Sequence, residues 1–168
     1  MTLREYIDRL RGRTVAVIGI GVSNTPLLRL LLREGISVTA CDRSSREKLG
    51  ALAGELEAAG AKLQLGDGYL QDLSQDVIFR TPGLRPDVPE LEAARAKGST
   101  ITSEMEVFFE VCPCHLIAVT GSDGKTTTTT LVSEMLKASG KTVWLGGNIG
   151  TPLLPLCRQM KKEDFAVV

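Results

Sequence analysis

The chain contains the segment Leu116-Ile117-Ala118-Val119-Thr120-Gly121-Ser122-Asp123-Gly124-Lys125-Thr126-Thr127, in which an apolar run leads into two glycines and a lysine. The first five residues of this segment are apolar or β-branched and predict a strand, and the run that begins at Lys125 predicts a helix. Glycines between a strand and a helix let backbone N–H groups turn toward phosphate oxygens, and the helix N-terminus adds a partial positive charge. The order of strand, glycine loop and helix therefore predicts a phosphate-binding loop.

Two side chains of this loop carry the chemistry expected of a phosphate site. Lys125 is predicted to reach the β- and γ-phosphates of a nucleotide, and Thr126 is predicted to offer its hydroxyl to Mg²⁺. Gly121 and Gly124 are separated by two residues, whereas the general Walker pattern has four between its glycines. The alternative is a plain strand–turn–helix connection with a lysine there by chance. We expect the threonines at 128–130 to serve packing on a half-buried helix.

On both sides of this loop, short β-branched runs alternate with helical patterns, which is typical of a parallel sheet covered by helices. Strands are predicted at 14–18, 36–41, 62–65, 77–79, 100–102, 116–120, 142–145 and 165–168. Helices are predicted at 26–34, 46–59, 89–97, 104–110 and 125–139. The predicted fold class is α/β, with a Rossmann-like N-terminal domain followed by the beginning of a P-loop-type α/β domain. The apolar run 165–168 leads us to expect a fragment of a longer protein.

A second glycine turn follows the first predicted strand, at Gly19-Ile20-Gly21-Val22-Ser23-Asn24. It is similar to the dinucleotide fingerprint G-x-G-x-x-G, and Asp42, after the next strand, is placed to bind a ribose. Asn24 stands where the third glycine would be, so we expect looser packing of the helix against the strand. From the residues alone, three interpretations stay open: NAD(H), another nucleotide, or a purely structural turn.

The composition argues against several classes of partner. Twenty Lys and Arg residues balance twenty Asp and Glu, so the formal net charge is zero, and we expect neither nucleic acid nor a membrane as partner. The hydrophobic share of 43% suits a folded domain, and no apolar run reaches the roughly 18 residues needed to span a bilayer. The charged N-terminus lacks the apolar core of a secretory signal, so we expect a cytoplasmic protein.

Cys112-Pro-Cys114-His115 invites a metal interpretation. A structural zinc site normally takes a second pair of ligands, and Cys157, the other candidate, is a single residue. We therefore expect reduced, unpaired thiols.

Several segments together resemble the Mur ligase family of ATP-dependent peptide ligases in peptidoglycan synthesis. Residues 119–128 resemble the shortened phosphate loop of that family, 80–83 its S-P-G segment, and 102–106 its S-E-I-E stretch. Gly146-Gly147-Asn148-Ile149-Gly150-Thr151-Pro152 is similar to the G-N-I-G-x-P of the member that adds D-glutamate to UDP-N-acetylmuramoyl-L-alanine. The resemblance covers essentially all 168 residues. It departs from the family at Thr81, which replaces serine, and at Asp123, where asparagine is frequent.

The resemblance implies a Rossmann-like domain at 1–111 that binds the UDP part of the substrate, followed at 112–168 by the truncated start of the central ATPase domain. The implied reaction activates the L-alanine carboxylate with ATP and Mg²⁺ and joins it to D-glutamate. An L-alanine-adding member and a non-catalytic nucleotide-binding module are the alternatives. The remaining machinery is expected after Val168, so this chain alone is expected to bind but not to turn over. No oligomeric state is predicted.

The resemblance also implies two sets of site residues. Lys125 is the implied catalytic residue, and Thr126 is the implied Mg²⁺ ligand. ATP is expected to bind Gly121, Ser122, Asp123, Gly124, Lys125, Thr126 and Thr127. The UDP-substrate is expected to bind Gly19, Ile20, Gly21, Val22, Asp42, Arg43, Thr81, Pro82, Gly83 and Asn148. His115, the only histidine, is expected to be structural.

Overall fold

Strands and helices alternate along the chain, as the sequence pattern predicts. The structure is a computed structural model that describes residues 1–147 and 151–168. It divides into two compact units: the first unit is Arg4–Glu104, and the second unit is Met105–Val168 together with Met1–Leu3. The domain boundary that the sequence analysis places after Val111 stays a prediction.

The first unit contains a five-stranded parallel sheet. Its strands are β1 (Thr14–Ile18), β2 (Ser37–Asp42), β3 (Lys62–Leu65), β4 (Val77–Phe79) and β5 (Thr100–Thr102). Their order across the sheet is β3-β2-β1-β4-β5, and every neighbouring pair is parallel. This order matches the Rossmann strand order 3-2-1-4-5-6 without its sixth strand, so the prediction of a Rossmann-like α/β domain is confirmed.

Strand β1 lies at the centre of this sheet because its residues after Thr14 are all buried. Val15 pairs with Val38 of β2 on one side and with Val77 of β4 on the other. A continuous apolar run of this kind is expected of a parallel strand that is covered on both faces. The carboxyl ends of all five strands consequently meet at one edge, where ligands bind in open α/β sheets.

Five helices belong wholly or mainly to the first unit among the described residues. They are α1 (Leu3–Leu10), α2 (Asn24–Arg33), α3 (Arg46–Leu49), α4 (Ala51–Ala58) and α5 (Pro89–Ala96). The sequence analysis missed α1, although Leu3, Ile7 and Leu10 are buried at helical spacing. It also predicted a single helix over 46–59, which the structure divides at Gly50, whose φ of 55° is not helical.

The second unit contains helix α6 (Glu104–Val111), helix α7 (Lys125–Ala138), a short 3-10 helix (Leu154–Leu156) and a parallel sheet. Its strands are β6 (His115–Ile117), β7 (Val143–Leu145) and β8 (Phe165–Val167), in the order β6-β8-β7. Helix α7 packs against β7 and β8. The order of β6, glycine loop and α7 confirms the prediction of a P-loop-type beginning.

Strand β6 begins one residue earlier and ends earlier than the predicted 116–120. Its pairing with β8 ends where Ile117 lies opposite Val167. The Val119 N–H still donates to the Val168 carbonyl at 2.7 Å, so the backbone remains tied to β8 as it enters the loop.

A buried carboxylate, Asp164, fixes the start of β8. It accepts hydrogen bonds from the Trp144 indole N–H and from the Lys161 backbone N–H, both at 2.9 Å. These donors stabilise the charged form, so the pKa of Asp164 lies below its usual value, with the Trp144 bond as the largest cause. Both bonds end on Oδ2, which ties the start of β8 to β7 and to the segment before β8.

No helix within the described part of the chain combines the length and the apolar character needed to cross a bilayer.

Candidate functional site

The glycine turn after β1 lies at the carboxyl edge of the first sheet, beside the end of β2. Gly19 has a φ of 93°, which an L side chain rarely adopts, and its N–H donates to the Cys41 carbonyl at 2.7 Å. The next N–H, that of Ile20, donates to the Asp42 carboxylate at 2.5 Å. The turn is therefore built onto the end of β2.

Asp42 connects two loops through its two carboxylate oxygens. Oδ2 accepts the Ile20 N–H of the turn after β1, and Oδ1 accepts the Ser44 N–H of the loop after β2 at 2.7 Å. The side chain is half-buried. Asp42 therefore holds the shape of the candidate site, a positioning role that the sequence analysis did not foresee. A carboxylate oxygen has further acceptor capacity, so the predicted contact with a ribose stays a prediction.

Thr81 approaches the same turn from the loop after β4. A Cβ placed on Gly19 would lie 3.0 Å from the Thr81 Cβ and 3.3 Å from its Cγ2. The structure thus brings Gly19, Asp42 and Thr81 together at the ends of three adjacent strands. Arg43, Pro82, Gly83 and Val22 are exposed around them, Val22 to 81% of its surface.

Asn24, at the start of α2, is only 2% exposed. Its Nδ2 donates to the Ile18 carbonyl at the end of β1, at 2.8 Å. The expectation of looser packing at this position was wrong, because the amide fills the space and ties the helix to the strand. Its Oδ1 is buried without a hydrogen-bond partner among the described residues.

The second cluster of site residues is the loop between β6 and α7. Gly124 occupies the N-cap of α7 with a φ of 72°, in the left-handed region that glycine adopts without strain. Gly121, Ser122, Asp123, Thr126 and Thr127 are exposed. The loop is therefore accessible.

Lys125 folds its side chain back over this loop. Its Nζ donates to the Gly121 carbonyl and, at 3.2 Å, to the Ser122 carbonyl. The ammonium group therefore lies over the loop, where a phosphate group would meet it. The ammonium group has three N–H donors, so one remains for a phosphate oxygen beside these two carbonyl contacts.

The threonine run that follows is only partly used for packing. Thr129 is buried, and its hydroxyl donates to the Lys125 carbonyl at 2.7 Å. Thr130 is exposed and donates to the Thr126 carbonyl at 2.8 Å, and Thr128 is exposed as well. The packing expectation is right for Thr129 and wrong for the other two. Bonds to the preceding turn satisfy the hydroxyls of Thr129 and Thr130 without partners from elsewhere.

The donor set of the loop fits a nucleotide triphosphate with Mg²⁺. The N–H groups of Lys125, Thr126 and Thr127 precede the first intrahelical bond of α7, which Thr128 donates to the Gly124 carbonyl at 2.9 Å. The Thr126 hydroxyl is a hard oxygen ligand of the kind that Mg²⁺ prefers. Within the part of the chain that the structure describes, no three His, Cys, Asp or Glu side chains form a metal-binding group. A metal ion here would depend on phosphate oxygens.

Asn148, expected at the sugar–peptide end of the substrate, lies outside the described residues. His115, expected to be structural, is in β6, and its ring lies 5.0 Å from that of Phe165 on the paired strand.

The sequence of this chain is similar to known ligases along almost its whole length. Residues 119–168 match the family model of the Mur ligase middle domain. The chain is 48% identical over 167 residues to UDP-N-acetylmuramoylalanine--D-glutamate ligase of Acetivibrio thermocellus, covering 99% of this chain and 36% of that protein. It is 49% identical over 168 residues to the ligase of the same name from Clostridium novyi, covering 99% and 37%. The chain thus spans little more than a third of these relatives.

The fold is also similar to that of a solved structure, a pseudomurein peptide ligase type C from Methanothermus fervidus. The two share a TM-score of 0.51 and 24% sequence identity, and the match covers 93% of this chain and 32% of that one. This likeness supports the α/β fold described above.

Proposed function

The chain belongs to the Mur ligase family, and from this premise we propose that it forms the UDP-substrate domain and the start of the ATP-binding domain of a cytoplasmic ligase. The enzyme would join D-glutamate to UDP-N-acetylmuramoyl-L-alanine during peptidoglycan synthesis. The observation that carries the proposal is the identity of 48% over 99% of the chain with a relative named for this reaction. The predicted phosphate loop at 121–127 supports the ATP-dependent part of this proposal.

The substrate end is assigned to the carboxyl edge of the first sheet. The diphosphate would face the turn from Gly19 to Val22, near the positive end of α2. Asp42 and the exposed Arg43 would contact the uracil or its ribose, and Thr81 with its two following residues would line the same pocket. Asp42 accepts hydrogen bonds from the Ile20 and Ser44 N–H groups, which hold the loop after β1 and the loop after β2 together.

The ATP end is assigned to the loop before α7. Lys125 would donate its remaining N–H to a phosphate oxygen while its bonds to two loop carbonyls hold it over the loop. The N–H groups at the start of α7 would add further donors. Thr126 would provide one oxygen ligand to Mg²⁺, which neutralises charge on the phosphates when it is bound.

The chemistry that this arrangement serves is amide formation through an activated carboxylate. A carboxylate does not condense with an amine in water because its oxygen is a poor leaving group. Transfer of the γ-phosphoryl group of ATP to the L-alanine carboxylate releases ADP and gives an acyl phosphate. The D-glutamate amine then displaces phosphate to form the amide. Lys125 is the residue of this chain proposed to stabilise the charge of the transferring group.

The substrate assignment is tested by calorimetric titration with UDP-N-acetylmuramoyl-L-alanine. We expect saturable binding, weakened about ten- to a hundredfold by Arg43→Ala, because a charge-assisted hydrogen bond contributes about 1.5–3 kcal/mol. Lys48→Ala, which removes an exposed positive charge from α3 in the same unit, is the matched control and should leave the affinity within about twofold.

Asp42→Asn keeps an oxygen acceptor while removing the negative charge, so it tests Asp42 with less disturbance of the loops than an alanine would cause. Two results would reject the assignment of the UDP-substrate to the carboxyl edge of the first sheet. One is an equal loss of affinity in Arg43→Ala and Lys48→Ala. The other is an affinity that neither Arg43→Ala nor Asp42→Asn changes.

A further inference from the structure

Three sulfur atoms meet in the second unit, away from the phosphate loop. The Cys112 Sγ lies 3.4 Å from the Cys114 Sγ, and the Cys114 Sγ lies 4.0 Å from the Met160 Sδ. The two cysteines are half-buried, whereas Met160 is buried. We call these three side chains the sulfur cluster.

Three different parts of the second unit hold the sulfur cluster in place. The Cys112 N–H donates to the Phe108 carbonyl at 2.9 Å, which fixes the residue at the end of α6. Cys114 directly precedes β6, and Met160 follows the short 3-10 helix, where its N–H donates to the Cys157 carbonyl at 3.3 Å. The cluster is therefore built by tertiary structure, and its third member is not visible in the Cys-Pro-Cys motif.

The sulfur atoms of Cys112, Cys114 and Met160 are soft, polarisable metal ligands. Thiolates and thioethers together select monovalent copper among the common biological metals, whereas carboxylates and hydroxyls suit Mg²⁺. His115, which directly follows Cys114, is not included in the proposed ligand set, because its ring lies against that of Phe165 with the ring centres 5.0 Å apart. We propose that Cys112, Cys114 and Met160 form a binding site for one Cu⁺ ion.

The spacing of the sulfur atoms agrees with this proposal. Three sulfurs at roughly 2.3 Å from a central ion, the distance typical of a metal–thiolate bond, lie about 4.0 Å from one another in a planar arrangement. The separations of 3.4 Å between Cys112 and Cys114 and of 4.0 Å between Cys114 and Met160 are close to this value. On binding, each cysteine that becomes a thiolate releases one proton to solvent.

Two other interpretations explain less of this geometry. Zinc in a structural site normally has four protein ligands, and a fourth would be needed here. A disulfide would require Cys112 and Cys114 to approach from 3.4 Å to about 2.05 Å and would leave the neighbouring Met160 without a role.

The site is separate from the proposed nucleotide loop. Cys114 lies at the amino end of β6, and the loop begins beyond its carboxyl end, so the strand stands between them. From Cys114 to Val119 an extended chain spans about 17 Å. Copper binding should therefore not compete directly with a nucleotide.

The test is anaerobic titration of the reduced chain with Cu⁺ against a competing chromophoric chelator. One ion should bind per chain, and X-ray absorption should show a coordination shell of sulfur alone. Cys112→Ser and Cys114→Ser should each lower the affinity by more than about a hundredfold, and Met160→Leu by about tenfold or more. Met135→Leu is the matched control because Met135 is 65% exposed on α7.

A measurement on the unaltered chain guards against variants that fail to fold. Cu⁺ should protect Cys112 and Cys114 from alkylation, as read by peptide mass spectrometry, and leave the reactivity of Cys41 and Cys157 unchanged. Absence of stoichiometric binding would overturn the proposal, as would binding retained in both serine variants. Equal affinities of Met160→Leu and Met135→Leu would overturn the three-sulfur site, as would disulfide formation between the two cysteines in place of copper binding.

Discussion

Replacing Gly19 by alanine should expose how closely the loops of the substrate edge are packed. The new Cβ would stand 3.0 Å from the Thr81 Cβ on a backbone whose φ is 93°. Overpacking typically costs about 1–3 kcal/mol, and a left-handed conformation costs an L residue about 1–2 kcal/mol. We therefore expect Gly19→Ala to lower the free energy of unfolding of the first unit by about 2–5 kcal/mol.

The two contributions can be separated with Thr81→Gly, which removes the three atoms nearest to the new Cβ. In a double-mutant cycle the overpacking part, about 1–3 kcal/mol, should disappear, while the backbone part remains. Gly21→Ala is the control in the same turn, since its Cβ would meet nothing within 4 Å and its φ is not positive.

The assay is native-state hydrogen exchange of peptides that cover β1 and β2, which reports on opening of the first unit. Urea unfolding followed by circular dichroism provides an independent measure. Two results would contradict this prediction: Gly19→Ala destabilising these strands no more than Gly21→Ala, or Thr81→Gly showing no coupling to Gly19→Ala.

Three further predictions concern charged and titrating groups. Lys125→Ala should weaken binding of MgATP about ten- to a hundredfold in calorimetry, and equal weakening by Lys137→Ala, which removes an exposed lysine of α7, would contradict the assignment. Burial raises the pKa of Cys41 to about 12, so the folded state keeps a proton that the unfolded state releases, and stability should fall as pH rises from 9 to 12. The free energy of unfolding, measured by chemical denaturation across this pH range, should fall less for Cys41→Ala than for the unaltered chain. An equal fall in both proteins would contradict the prediction. Trp144→Phe removes the main cause of the lowered pKa of Asp164, so acid unfolding of the second unit should begin at a higher pH; an unchanged acid transition by circular dichroism would contradict this.

Much of the fold follows from local sequence pattern. The strands at 14–18, 62–65, 77–79 and 100–102 lie where β-branched and apolar runs predict them. Helix α1 was missed although Leu3, Ile7 and Leu10 recur at helical spacing, a pattern that was sufficient to predict it from the sequence. The break at Gly50 depends on a backbone conformation that a periodic pattern does not reveal.

The candidate site was predictable as a set of residues but not as an arrangement. The glycine turns and Lys125 stand out because few other residue types suit a phosphate loop. The role of Asp42 as a bridge between two loops, and the position of the Asn24 amide between helix and strand, arise from contacts across the sheet. The sulfur cluster is the extreme case, because Met160 is distant in sequence from both cysteines.

We propose that this chain recognises a UDP-linked substrate and does not bind a dinucleotide. The decisive test is a pair of calorimetric titrations of the unaltered chain, one with UDP-N-acetylmuramoyl-L-alanine and one with NAD⁺. We expect saturable binding of the UDP compound at one site and no heat of binding for NAD⁺. Binding of NAD⁺ with no response to the UDP compound would contradict it.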